Sequence, residues 1–101
     1  MITSDLSPLF DILLEKWATF LSSIDIVVLT YIINCILKED TKIFRSTIND
    51  IAAGCGSSFP SVFKALEKAG TFEILTIRHD EKKTRVQLGK KMRLEISKRG
   101  I

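Results

Sequence analysis

The stretch "GCGSSFPSVFKALEKAG" (54–70) decides the fold. Gly54 and Gly56 end the segment before it. Ser57 or Ser58 caps a new helix. Pro60 is tolerated there because first-turn amides have no helical partner. Phe59, Phe63 and Leu66 recur at steps of four and three, which predicts an inward face with Val62 beside it. Gly70 reads as the stop. On this reading Ser57, Ser58, Pro60, Ser61, Lys64, Ala65 and Lys68 face outward. A helix with a small, polar front suits close approach to another surface.

Just upstream, "STINDIAAGCG" (46–56) reads as a short helix. Ser46 or Thr47 caps it, Asn49 or Asp50 lies in its first turn, and Ile48, Ile51 and Ala52 supply its buried side. "TKIFR" (41–45) is a short apolar run between polar residues and predicts a strand. "SSIDIVVLTYIINCILKED" (22–40) is apolar almost all round and so predicts a buried helix. Ser22 or Ser23 caps it, and Asp25 meets the positive end of its dipole. "SPLFDILLEKWATFL" (7–21) opens on a serine cap and a proline and carries an apolar stripe. Downstream, "TFEILTIRH" (71–79), the polar "DEKK" (80–83) and "TRVQLG" (84–89) predict a hairpin with a charged tip. In "KKMRLEISKRGI" (90–101), Met92 and Ile96 fit a helical stripe, but Met92, Leu94 and Ile96 also alternate as in a strand. Helix is the favoured reading.

The order helix, helix, strand, helix, turn, helix, hairpin resembles a winged helix-turn-helix domain of the kind found in MarR-like and related small transcription regulators. "INDIA" matches the first helix of that motif, "GCGSSFPSVFKALEKAG" the turn and second helix, and "TFEILTIRHDEKKTRVQLG" the wing. The resemblance covers about residues 25–89, and Gly89 stands where such families often have threonine. It implies an α+β, mainly α fold: a winged helix over 23–101, with an extra N-terminal helix within 1–22.

Composition sets the remaining bounds. The chain of 101 residues carries a net charge of +3, but unevenly. Residues 1–40 hold two lysines against six acids, a net −4; residues 41–101 hold thirteen Lys and Arg against six acids, a net +7. That split suits a polyanion-binding face separate from a packing face. Cys35 and Cys55 have no metal-ligand spacing and read as small apolar residues of a reducing compartment, without excluding a disulfide between them. No basic-then-apolar leader is evident, and 24–37 is too short to span a bilayer, which needs about 20 residues. The expected location is cytoplasmic, with no membrane partner. Catalysis finds no support: His79 has no evident nucleophile partner, and "GCGSS" lacks the lysine of a phosphate-cradling loop. No enzyme activity, cofactor or metal is expected.

The site expected from these readings is for double-stranded DNA. Small residues let the front of the 57–70 helix enter the major groove. Ser57, Ser58 and Ser61 reach phosphates or a base edge, and Lys64 and Lys68 meet backbone or guanine. Without Arg, Asn or Gln on this helix, strong base readout is not expected. On the wing, Arg78, Lys82, Lys83 and Arg85 track phosphates, with Arg85 best suited to a narrow minor groove. Lys90, Lys91 and Arg93 extend the basic track. About six phosphate contacts would give a salt slope near −5. The plainer reading is a capped surface helix and a soluble turn with solvated lysines. Leu9, Phe10, Leu13, Leu14, Trp17 and Phe20 offer a homodimer interface, which would set half-sites about one duplex turn apart. A winged-helix adaptor that binds protein in a replication or transcription assembly is the alternative to a transcriptional regulator.

Overall fold

The computed structural model describes residues 7–100; the side chain of Ser7, read above as a helix cap, lies outside the described set. Five helices and one three-stranded antiparallel sheet follow the order α1 (Ser7–Trp17), α2 (Ser23–Lys38), β1 (Ile43–Ser46), α3 (Ile48–Cys55), α4 (Phe59–Thr71), β2 (Leu75–His79), β3 (Thr84–Leu88), α5 (Lys90–Arg99). The architecture is α+β and mainly helical, compatible with a winged-helix-like arrangement. The hairpin strand β3 lies between β1 and β2. Among the described residues no helix is long and apolar enough to cross a membrane.

Local chemistry sets most of the helix ends. Ser22 accepts from the Asp25 amide while the Asp25 carboxylate accepts from the Ser22 amide, a reciprocal cap on α2. Thr47 caps α3 through the Asp50 amide, and Ser58 caps α4 through the Ser61 amide. Gly56 ends α3 in the left-handed region (φ 69°), where a side chain would be strained. Gly70 does not stop α4. The helix runs on through Thr71, and the chain turns at Phe72 and the left-handed Glu73 (φ 60°).

The core forms around α2. Val28, Leu29, Ile32, Ile33 and Ile36 are fully buried, while Ile24 and Val27 stay exposed, so the helix is less enclosed than its sequence predicts. The last segment is helical: Met92 and Ile96 are buried and Leu94 points to solvent, which selects the four-residue spacing over the alternation. Backbone bonds anchor its start. The Gly89 amide donates to the Ile74 carbonyl (2.8 Å), and the Lys91 amide to Glu73 (3.1 Å).

The N-terminal helix folds back on its own domain. Leu9, Leu13 and Trp17, three of the residues read as a dimer surface, lie in the core. Phe10, Leu14 and Phe20 remain exposed, and the Phe20 ring lies against Phe72, centroids 4.9 Å apart. Ion pairs fasten α1 to α5: Arg99 to Glu15 (2.8 Å) and Lys16 to the buried Glu95 (3.4 Å). The hydrogen bond from Arg99 holds the Glu15 carboxyl below its ordinary value.

Candidate nucleic-acid interface

The inward face of α4 is not the one its aromatic residues predict. Val62, Ala65, Leu66 and Ala69 are buried; Phe59 and Phe63 are 48% and 41% exposed. Both sets have helical spacing, so periodicity alone does not choose between them. The neighbour decides. α4 packs mainly on α2, and its buried side carries the small residues Ala65 and Ala69 beside Val62 and Leu66. The rings at 59 and 63 are left on the far side, nearly parallel, with centroids 6.4 Å apart.

This rotation changes what α4 offers. Ala65 is buried and not outward. Lys68 reaches back to the Asp25 carboxylate at 2.7 Å and is half-buried. The Ser58 and Ser61 hydroxyls bond each other at 2.9 Å, and Ser57 is half-buried. Lys64 remains exposed, with no carboxylate partner among the described residues. The outward face of α4 therefore carries Phe59, Pro60, Phe63, Lys64 and Glu67.

The cations gather on the sheet. The register pairs Arg45 with Arg85 and Arg85 with Arg78, so three arginines lie side by side across β1, β3 and β2. Cross-strand partners project to the same face. The opposite face carries Phe44, Val86 and Ile77, which join the core, so the arginine row looks outward. Among the described residues only its middle member has an acidic partner: Arg85 meets Asp80 at 3.1 Å, while its buried Nε lacks an acceptor there. Lys82 and Lys83 sit on the exposed hairpin tip, where the Asp80 amide donates to the Lys83 carbonyl (2.8 Å). Among the described residues no carboxylate lies within ion-pair distance of Arg45, Arg78, Lys82 or Lys83. A shallow depression of about 440 Å³ is lined by Arg45, Arg85, Lys82 and Lys83 together with Asp80 and Glu81.

Of the residues expected to contact DNA, the structure brings Arg78, Lys82, Lys83 and Arg85 together and leaves Lys64 free on the helix. Arg45 joins them without having been singled out in sequence. Its signal was available: with Phe44 inward, strand alternation turns Arg45 outward.

Two clefts separate α4 from the hairpin. One, of about 460 Å³, is walled by Phe63, Glu67 and Thr71 on the helix and by Ile77 and His79 on β2. The other, of about 310 Å³, runs from Asn49 past Phe59 to Lys82 and Lys83. His79 lines both, with Nδ1 at 3.2 Å from the buried Thr84 hydroxyl. Compared with known proteins, the chain matches no family model and no curated protein.

Proposed function

We propose that this chain is a winged-helix protein that binds duplex DNA chiefly through phosphate contacts, as a transcriptional regulator would. The observation that carries the reading is the lateral row Arg45–Arg85–Arg78 beside Lys82 and Lys83. Like charges directly opposite in a sheet repel. A polyanion laid along the row relieves that repulsion and releases counterions. The helix α4 adds Lys64 and little base readout, because Phe59, Phe63 and Glu67 occupy much of its outward face. Self-association, where it occurs, has Phe10, Leu14 and Phe20 to use, since Leu9, Leu13 and Trp17 are already buried; sedimentation velocity of Phe10→Ser/Leu14→Ser tests it.

The deciding experiment is fluorescence anisotropy of a labelled duplex at several salt concentrations. The expected slope of log K against log salt is about −4 to −5, and Lys82→Glu/Lys83→Glu makes it shallower by about 2. Absence of duplex binding even at low salt, or an unchanged slope in the variant, overturns the reading. The adaptor reading has one observation in its favour: an exposed aromatic pair is common currency at protein interfaces.

A further inference from the structure

The Phe59–Phe63 pair has no role in a duplex grip on phosphates. The two rings, on residues about half exposed, are nearly parallel, and each lines one of the clefts beside the hairpin. In a duplex, base faces are stacked on one another and closed to a protein ring; only unpaired bases offer theirs. We propose that the groove between α4 and the hairpin takes single-stranded nucleic acid, with unpaired bases stacked on Phe59 and Phe63 and the strand's phosphates held by Lys82 and Lys83. The inference rests on the nucleic-acid reading above and names the form of substrate that this part of the surface takes.

Charge complementarity assigns the orientation. At one end of the groove lie Lys82 and Lys83 together with Asp80, which is paired to Arg85, and Glu81; the two lysines outnumber the one carboxylate unpaired among the described residues and attract phosphates. At the other, beside Phe63, lies Glu67, with no cation partner among the described residues. A carboxylate there repels a phosphate but accepts from the exocyclic amine of cytosine. A base therefore fits the Phe63 end and the backbone fits the hairpin end. An acidic protein segment, the rival occupant, would meet Glu67 where it needs a cation.

The test uses the full chain and three labelled probes of equal length: a deoxycytidine strand, an abasic strand and a duplex. Expected for the wild type is tighter binding of the cytidine strand than of the abasic strand, by about 5- to 100-fold, from stacking on one ring or both. Phe59→Ala/Phe63→Ala abolishes that preference and leaves duplex affinity unchanged. Phe63→Trp keeps it, and its added fluorescence is quenched by the cytidine strand. Lys82→Glu/Lys83→Glu weakens all three probes. Equal binding of cytidine and abasic strands by the wild type overturns the single-strand assignment. So does a double-alanine variant that retains the preference, or one that weakens strand and duplex alike; the phosphate-binding reading survives those results. Failure of the wild type to bind any of the three probes overturns both.

Discussion

Asp25 and Lys68 are 43 positions apart, yet their side chains meet at 2.7 Å, and that contact ties α4 to the first turn of α2. Asp25 is 3% exposed. Burial by itself would raise its pKa; the hydrogen bonds from Lys68 and Ser22 outweigh burial and hold the carboxyl below its ordinary value. Consider Asp25→Asn. The amide oxygen still accepts from the Ser22 amide, so most of the cap survives. What is lost is a charge-assisted bond of about 1.5–3 kcal/mol, discounted because Lys68 is partly in water. A loss of about 1–2 kcal/mol remains. In a domain of this size it lowers Tm by about 5–15 °C. Lys68→Met costs more, about 2–3 kcal/mol, because it strands a buried carboxylate with only the α2 cap to satisfy it. The double variant is less damaged than the sum of the two, by about 1 kcal/mol or more.

Urea unfolding followed by circular dichroism measures all four corners of this cycle. The pH dependence supplies an independent reading. A folded-state pKa below the unfolded one means stability that is present above about pH 4 and is lost as pH falls through the lowered value. The gap between wild type and Asp25→Asn therefore closes in acid. Lys68→Met should also leave the salt slope of duplex binding unchanged, because its ammonium is committed to Asp25 and not to phosphate. Additive single variants, or a gap that does not narrow as the pH is lowered from about 4, would refute the coupling. A shallower salt slope in Lys68→Met would return Lys68 to the DNA surface.

The orientation of α4 gives a contrast within one helix: Leu66→Ala should cost about 2–5 kcal/mol as a core truncation, while Phe63→Ala, with its ring partly in water, should cost about 1–2 kcal/mol. Comparable losses at the two positions would mean that the aromatic face is the buried one. Gly89 has an ordinary backbone (φ −76°), but a methyl there would collide with the Glu73 carbonyl and stand 2.7 Å from the Ile74 carbonyl carbon. Backbone atoms cannot rotate away, so Gly89→Ala should destabilise by about 2 kcal/mol or more and disturb the start of α5, read as a drop in urea midpoint; a neutral result would place the β2–β3–α5 junction differently.

Features set by a few consecutive residues could be read from the chain. Ser22, Thr47 and Ser58 cap their helices because each has an amide three positions on, and Gly56 marks an obligatory left-handed turn. The hairpin follows from alternation around four polar residues. Three other features depended on partners far away in sequence. The apolar stripe of α4 does not by itself identify its buried face, because phenylalanine outweighs alanine in any such stripe, whereas the residues buried are Val62, Ala65, Leu66 and Ala69. Lys68 reads as a DNA contact on an outward face because nothing near it in sequence announces Asp25. The arginine row needs the register of β1 on β3, which no local pattern supplies. The segment 90–99 is ambiguous in sequence because apolar residues occur at both two- and four-residue spacing; the anchoring of Gly89 and Lys91 to the turn between α4 and β2 and the burial of Met92 resolve it.

The consequence of turning α4 this way can be put as a free energy. Aromatic residues present about 150–250 Å² each, so exposures of 48% and 41% leave about 180 Å² of ring surface in water at Phe59 and Phe63. Full coverage would return about 4 kcal/mol, and stacked bases covering half of it about 2 kcal/mol. That part of the affinity involves no counterions. Extrapolating log K to about 1 M salt removes most of the phosphate contribution and leaves the stacking one. For a single strand the wild type should then exceed Phe59→Ala/Phe63→Ala by about 30-fold in the intercept, with equal slopes. Lys82→Glu/Lys83→Glu should do the reverse, changing the slope and sparing the intercept. If the phenylalanine variant alters the slope and not the intercept, the rings act only by placing the hairpin cations, and the stacking argument fails at its physical root.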